Sequence, residues 1–185
     1  MIRKYVQYFK NMLKYVKSGG VVLVNVSFTK PNKRLAGKTI FISGGTSGIG
    51  KNMAKTFLEE GATVIVSGRN EENLKELNAA YPEIHSIKWD IADIHSASDN
   101  IADLDKKYGP IDVFVNNAGV YDAASWDSIT EASFDKCADI NQKALFFMCQ
   151  AEGKYMVNHN IKGKIINITS IAGIKSGFDP YSVSK

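Results

Sequence analysis

Apolar positions along this chain form short runs that alternate with helical patterns from residue 38 onward. The predicted strands span residues 38–43, 62–67, 84–89, 111–116 and 164–169. Between them, apolar residues recur every three or four positions, which predicts helices ending near 60, over 71–80, over about 96–108 and over about 131–158. Three strands are nearly all apolar, as expected when helices cover both faces of a parallel sheet. The pattern predicts a doubly wound parallel α/β sheet.

The first 34 residues follow a different pattern. A basic amphipathic helix is predicted there because apolar side chains recur at helical spacing between lysines, at Ile2, Val6, Phe9, Leu13 and Val16. A strand rich in β-branched residues is predicted over 21–28. We therefore predict an extension over residues 1–34 and an α/β domain over residues 35–185.

Charge is spread unevenly along the chain. Residues 1–38 hold nine basic side chains and no acidic one, whereas the rest carries 14 basic against 19 acidic side chains, a formal charge of −5. Since the domain itself is acidic, we expect no nucleic-acid binding. Residues 1–17 predict a peripheral contact with an anionic membrane surface or a partner. Packing of this helix on its own domain or on a second subunit is the favoured alternative, because one short basic helix binds a membrane only marginally.

Composition excludes several classes of protein. No apolar run approaches the roughly 20 residues that a membrane span requires. The two cysteines, Cys137 and Cys149, fall within one predicted helical region, so we expect small core residues rather than a disulfide framework, and a cytoplasmic location. No metal site is predicted.

A glycine-rich segment lies where the first strand meets the first helix. It reads Ser43-Gly44-Gly45-Thr46-Ser47-Gly48-Ile49-Gly50. Glycine permits a tight turn and a close backbone approach, and the free N–H groups of a helix N-terminus receive the charge of a pyrophosphate. A purely structural turn is the alternative, which the position within a βαβ unit disfavours.

Other polar residues fall at the same edge of the predicted sheet. Gly44, Asp90, Asn116 and Ser170 each follow the carboxyl end of a predicted strand. Open α/β sheets bind ligands at this edge. A helix cap is the alternative role for Asp90.

These motifs resemble the short-chain dehydrogenase/reductase family. The glycines follow the spacing Gly-x-x-x-Gly-x-Gly, and the resemblance continues through Asp90, Asn116-Asn117-Ala118-Gly119, Asn141, Ser170 and Tyr181-x-x-x-Lys185. It covers residues 38 to 185 and implies a Rossmann-like domain that binds a nicotinamide dinucleotide. Ser43 stands where the family has threonine, which keeps a hydroxyl. The resemblance implies these cofactor-binding residues: Ser43, Gly44, Thr46, Ser47, Gly48, Ile49, Gly50, Arg69, Asp90, Ile91, Asn116, Ala118, Gly119, Tyr181 and Lys185.

The end of the second strand bears on the choice of cofactor. An NAD site places an acid there for the ribose 2′-hydroxyl, whereas a 2′-phosphate favours a guanidinium. Gly68 occupies the position of that acid and Arg69 follows it. We therefore expect NADP rather than NAD, with a plain surface cation as the alternative role of Arg69.

Four residues are predicted to carry the chemistry. Tyr181 and Lys185 lie one helical turn apart if their segment is a helix, so a phenol and an ammonium share one face. Ser170 would stabilise charge that develops on a substrate oxygen. By resemblance, Lys185 also bonds the nicotinamide ribose, and Asn141 holds a water that links Lys185 to solvent.

The resemblance implies hydride transfer between nicotinamide and a small-molecule carbonyl or alcohol, with Tyr181 as the acid or base. It also implies that the family domain continues beyond Lys185 and forms a homo-oligomer, so we expect this chain to be the N-terminal part of a longer protein, cut after the fifth strand. Two alternatives stay open. One is a dinucleotide-binding module without catalysis, and the other is a parent enzyme that reduces a C=C bond.

Overall fold

The computed structural model describes residues 33–121, 126–174 and 177–185. The helix and strand predicted within residues 1–28 lie outside the described residues. Arg34, at the predicted boundary, is tied to the domain because its guanidinium Nη2 lies 2.7 Å from Oε1 of Glu60. The division into 1–34 and 35–185 stays a prediction.

Five parallel strands form one sheet. They are β1 (Thr39–Ser43), β2 (Thr63–Gly68), β3 (His85–Lys88), β4 (Val113–Asn116) and β5 (Lys164–Asn167). Their order across the sheet is β3-β2-β1-β4-β5. The chain therefore reverses direction across the sheet after β3, and the carboxyl ends of β1 and β4 lie side by side at the point where ligands bind in such folds.

Helices join the strands. They are α1 (Gly48–Glu59), α2 (Glu71–Ala80), α3 (Ala97–Tyr108), α4 (Glu131–Cys137), α5 (Leu145–Asn158) and α6 (Pro180–Ser184). The predicted α/β architecture is confirmed, with helix and strand ends mostly within two residues of those expected. Asn70 shows why α2 begins where it does, because its side chain accepts hydrogen bonds from the backbone N–H groups of Glu72 and Asn73.

Apolar side chains cover both faces of the sheet. On one face Phe41 and Phe114 are fully buried among residues of α3 and α5 such as Ile101 and Met148. On the other face Ile42 and its neighbours pack beneath α1 and α2. All five residues of β1 are buried, which explains the continuous apolar run in its sequence.

The long helix predicted over 131–158 is interrupted. Between α4 and α5, Ala138–Ala144 forms a π-helical turn. A π turn inserts an extra residue into a helix and often occurs at functional sites. Asn141 lies within it.

No helix in the described part of the chain is long and apolar enough to cross a membrane.

Candidate functional site

A groove of about 550 Å³ opens at the carboxyl edge of the sheet. The loops that follow β1, β2, β3 and β4 all contribute to it. Ten of the predicted cofactor residues line this groove: Gly44, Thr46, Ser47, Gly48, Ile49, Arg69, Asp90, Ile91, Ala118 and Gly119. The sequence motifs are thus brought together at one edge.

Gly44 allows two loops to meet. Its φ of +63° lies in the left-handed region, and a Cβ there would fall 2.8 Å from Cα of Ala118. A larger residue would push the loops after β1 and β4 apart. Four residues further on, α1 begins at Gly48, so its free N–H groups open into the groove and can receive a phosphate.

Ser43 and Asn117 clamp these loops together. Ser43 Oγ accepts hydrogen bonds from the backbone N–H groups of Asn117 and Ala118, each at 3.1 Å. Asn117 Nδ2 donates to the carbonyl oxygens of Ser43 and Gly44 at 3.1 and 3.0 Å. A Cβ at Gly50 would lie only 2.5 Å from that Nδ2. Ser43 and Gly50 therefore support the groove without lining it, whereas Asn117 does line it.

The end of β2 is crowded on one side and open on the other. A Cβ at Gly68 would lie 2.7 Å from Cγ2 of Thr46, so no larger side chain fits there unless Thr46 moves. Arg69 is exposed and lines the groove. Among the described residues it forms no ion pair. Its guanidinium is thus free to meet a ligand.

Asp90 lies in the groove wall after β3. Its Oδ1 accepts a hydrogen bond from the backbone N–H of Ala92 at 3.0 Å, which fixes the turn. The carboxylate is exposed and its second oxygen is available to a ligand. Ile91 follows and lines the same part of the groove.

Asn116 does not line the groove, and its contact with the cofactor stays a prediction. Its Nδ2 donates to Oε2 of Glu152 at 2.9 Å and to Oδ1 of Asn167 at 3.1 Å, within the buried layer between the sheet and α5. Successive strand residues point to opposite sides, so Asn117 faces the groove loops and Asn116 faces the core.

Glu152 is a fully buried acid beside Asn116. Among the described residues its Oε1 has no hydrogen-bond partner. Burial raises the pKa of Glu152 from its ordinary value of 4.5 to about 7, and the hydrogen bond from Asn116 opposes this shift. Burial also raises the pKa of the neighbouring Cys149 thiol. No motif in the sequence marks this cluster.

Tyr181 lies in α6, and Lys185 directly follows the last residue of that helix. Lys185 Nζ lies 5.9 Å from the centre of the Tyr181 ring and donates a hydrogen bond to the carbonyl oxygen of Ile168 at 3.1 Å. Neither residue lines the groove itself, but the pair lies next to it. A Cβ at Gly119 would fall 3.2 Å from Lys185 Nζ and 3.1 Å from Oδ1 of Asn141.

Asn141 joins the groove to α6. Its Oδ1 accepts from the backbone N–H of Val120 at 2.9 Å, and its Nδ2 donates to the carbonyl oxygen of Val120 at 2.9 Å and to Oγ of Ser184 at 2.8 Å. Ser184 Oγ in turn donates to the carbonyl oxygen of Tyr181 at 2.9 Å. Ser184 was missed from the sequence, although it is buried and precedes Lys185 directly.

Ser170 follows β5 and opens a short 3₁₀ turn, Ile171–Gly173. Its Oγ accepts a hydrogen bond from the backbone N–H of Ala172 at 3.1 Å. The hydroxyl proton stays available for a second partner. Within the described residues no group of three or more His, Cys, Asp or Glu side chains could hold a metal ion.

A family model described as short chain dehydrogenase matches residues 38–185. The chain belongs to the short-chain dehydrogenase family. Members of this oxidoreductase family are NAD(P)-dependent dehydrogenases and reductases.

Curated members of the family resemble this chain over most of its length. Gluconate 5-dehydrogenase of Gluconobacter oxydans is 31% identical over 82% of this chain and 61% of its own. Sorbitol dehydrogenase of Cereibacter sphaeroides is 38% identical over 76% of this chain and 55% of its own. A 3-oxoacyl-[acyl-carrier-protein] reductase of Rickettsia prowazekii is 37% identical over 82% of this chain and 62% of its own. The chain thus spans little more than half the length of these relatives.

Solved structures of short-chain dehydrogenases share the fold. One from Bacillus anthracis superposes with a TM-score of 0.76 at 30% identity, covering 80% of this chain and 62% of that one. Gluconate 5-dehydrogenase from Burkholderia cenocepacia, solved with NADP and tartrate, gives a TM-score of 0.75 at 28% identity, covering 84% and 63%.

Proposed function

We propose that this chain forms the cofactor-binding and proton-transfer part of an NADP(H)-dependent oxidoreductase, which moves a hydride between nicotinamide and a small-molecule carbonyl or alcohol. The observation that carries the proposal is the meeting of two features at Gly119, which lines the groove and lies against Lys185 and Asn141. A dinucleotide site and a phenol–ammonium pair are thereby adjacent.

The groove fits a dinucleotide in shape and in chemistry. The N-terminus of α1 and the glycine loop suit the pyrophosphate. The sheet spans four strand spacings from β3 to β5, about 19 Å at roughly 4.8 Å each, so a dinucleotide lying across the sheet edge can contact loops on both sides of β1. Asp90 and Ile91 would hold the adenine, and Lys185 the nicotinamide ribose.

Bound nicotinamide supplies or accepts the hydride. In the reducing direction, with the hydride supplied by the bound nicotinamide, the Tyr181 hydroxyl would give its proton to the carbonyl oxygen, which completes the alcohol and leaves a tyrosinate. Lys185, whose Nζ lies 5.9 Å from the centre of the Tyr181 ring, would favour the negative charge that Tyr181 carries once that proton leaves. The Ser170 hydroxyl donates to the same substrate oxygen and stabilises its developing charge. Asn141 holds α6 in place through its hydrogen bond to Ser184 and, by the family resemblance, would help to hold a water behind Lys185.

The end of β2 favours NADP over NAD. An acid for the ribose 2′-hydroxyl would have to stand at Gly68, where even a Cβ meets Thr46 at 2.7 Å. Arg69 lies in the groove, exposed and without an ion pair among the described residues, and a guanidinium binds phosphate through two parallel hydrogen bonds. The Burkholderia cenocepacia relative was solved with NADP, which supports the same preference.

Replacing Arg69 with Ala is expected to weaken NADPH binding by about 10- to 100-fold, because a charge-assisted hydrogen bond contributes about 1.5–3 kcal/mol. NADH, which lacks the 2′-phosphate, should lose little affinity. Isothermal titration of both cofactors measures the two effects on one protein preparation.

The matched control for Arg69→Ala is Lys75→Ala, which removes one positive charge from an exposed position of α2 outside the groove lining. It should leave both affinities within about twofold, as expected for a screened surface charge. Equal weakening of NADPH and NADH by Arg69→Ala would mean that the 2′-phosphate is held elsewhere.

The function itself is tested by incubating the protein with NADPH and a panel of ketones, sugar acids and 3-oxoacyl thioesters, the classes suggested by the relatives' names. NADPH consumption with formation of the matching alcohol supports the proposal. Reduction of a C=C bond in an unsaturated ketone, with the carbonyl kept, would identify a different reaction. NADPH binding without any turnover would favour the alternative function, a dinucleotide-binding module without catalysis.

Three further features belong to this proposal. The chain has only two cysteines, both within the helical segment over 131–158, in keeping with a reducing cytoplasm. Exposed aromatic rings on the outer side of α5, Phe146 and Phe147, favour a homo-oligomer. The contact through residues 1–17, with a membrane surface or a partner, lies outside the described residues and stays a prediction.

A further inference from the structure

Two buried polar side chains in the groove have no hydrogen-bond partner among the described residues. Ser67 is 1% exposed and Trp89 is 4% exposed, yet Ser67 Oγ and Trp89 Nε1 bond to no described residue. Leaving a buried donor unmet destabilises a protein, so such groups call for an explanation. Both residues line the groove, which points to a ligand that completes these bonds.

The sheet places the two side chains on one side. Ser67 lies in register with Ile87, and Trp89 is two residues beyond Ile87, so the alternation of a strand puts all three on the same face. The Trp89 ring is held by Phe41, with ring centres 5.4 Å apart, and its backbone N–H donates to the carbonyl oxygen of Gly68 at 3.1 Å. The indole is therefore fixed before any ligand arrives.

The position of the pair identifies which half of the cofactor it meets. Ser67 and Trp89 belong to β2 and the end of β3, whereas Ser170 follows β5 and Lys185 lies against Gly119, after β4, so the catalytic residues are on the opposite side of β1. Since hydride transfer takes place beside Tyr181, the nicotinamide half lies there. The other half of the dinucleotide, the adenosine half, then lies over β2 and β3.

We propose that Trp89 and Ser67 are hydrogen-bonding residues for the adenosine half of NADP(H). An indole N–H can only donate, and adenosine offers ring nitrogens and ribose oxygens as acceptors. The Ser67 hydroxyl can donate or accept in the same place. This inference rests on the proposed dinucleotide site and adds two residues to it.

Intrinsic fluorescence tests the contact because the chain has only two tryptophans. Trp126, the second one, is 77% exposed and does not line the groove. In Trp126→Phe, where Trp89 is the sole fluorophore, adenosine 2′,5′-bisphosphate should change the emission in a saturable way. In Trp89→Phe, the remaining emission should stay constant. The probe contains no nicotinamide, so the response reports the adenosine half alone.

Affinity supplies the second readout. Trp89→Phe keeps an aromatic ring and removes the N–H donor, and Ser67→Ala removes the hydroxyl. Each substitution should weaken binding of the bisphosphate by about fivefold, which is the effect of losing one neutral hydrogen bond. Trp126→Phe is the matched control and should bind as the parent does. Circular dichroism confirms that each variant is folded, and Ser67→Ala tests the inference even where Trp89→Phe does not fold.

The outcomes separate this inference from the proposed function. If the parent protein binds the bisphosphate while the emission of Trp89 stays constant and both variants bind equally well, the two residues play no part in binding and the inference is overturned. If the parent binds neither the bisphosphate nor NADP⁺, the dinucleotide site itself is refuted, and this inference with it.

Discussion

Tyr181→Phe is expected to lower carbonyl reduction by about 100- to 10,000-fold in any active form of the protein, because general acid catalysis by a positioned group contributes that much. The substitution removes one oxygen and keeps the ring. Since Tyr181 does not line the groove, NADPH should bind nearly as before. Steady-state turnover and isothermal titration measure the two quantities separately.

Tyr121→Phe is the matched control for this experiment. The Tyr121 ring meets the Tyr181 ring edge to face, with centres 5.1 Å apart, and its side chain is 68% exposed. Losing that hydroxyl should change turnover by no more than a few-fold. If Tyr181→Phe keeps substantial turnover, Tyr181 is not the acid. If it abolishes NADPH binding as well, its role is structural.

Glu152→Gln is expected to stabilise the fold above neutral pH. The pKa of Glu152 rises from 4.5 to about 7 on folding, so between these values the folded protein holds a proton that the unfolded chain releases. Stability therefore falls as pH rises through this window and levels off above about 7. The accumulated loss is on the order of 3 kcal/mol, and glutamine, which cannot ionise, avoids it.

Urea unfolding at several pH values between 4 and 9, in about unit steps, measures this effect. The parent should lose stability from acid to neutral pH relative to Glu152→Gln, and the two should be similar at the acid end. Glu76→Gln, at an exposed position of α2, is the control and should follow the parent. Parallel curves for the parent and Glu152→Gln would show that Glu152 does not titrate in this window.

The fold could be predicted from the sequence because each buried strand is a continuous apolar run between helical patterns. Helix α2 coincides with the range predicted from its apolar spacing, 71–80, and the Asn70 side chain caps its first turn. The order of the strands in the sheet could not be predicted from the apolar pattern. Apolar runs show that strands are covered on both faces, but not which strand lies beside which, and β1 lies between β2 and β4 only through long-range pairing.

The candidate site could be predicted in part. Glycines and polar residues at strand ends mark the groove, because those positions share one edge in any parallel sheet. The sequence does not show which of Asn116 and Asn117 faces the groove. Alternation along a strand predicts that the two side chains point to opposite faces, but not which face is the groove. Trp89 resembled an ordinary core residue, and its unmet N–H becomes visible only in three dimensions.

Two features of the long helical segment also escaped the sequence. Glutamate is a residue type that usually lies at the surface. The burial of Glu152 depends on the packing of α5 over β4 and β5. The π turn at Ala138–Ala144 has no glycine or proline to mark it. It is stabilised by tertiary contacts, because Asn141 bonds to Val120 and Ser184 rather than to its own helix.

The strand order has a consequence for the nascent chain. As the chain leaves the ribosome, β1, β2 and β3 can pair early, whereas β4 emerges about 25 residues after β3 and must insert on the other edge of β1. Until then that edge of β1 is open and apolar, a target for chaperones or for misassembly. The groove closes only when Ala118 reaches Gly44. Cofactor binding can therefore stabilise the states formed late in folding, after the groove has closed, but not the earlier ones.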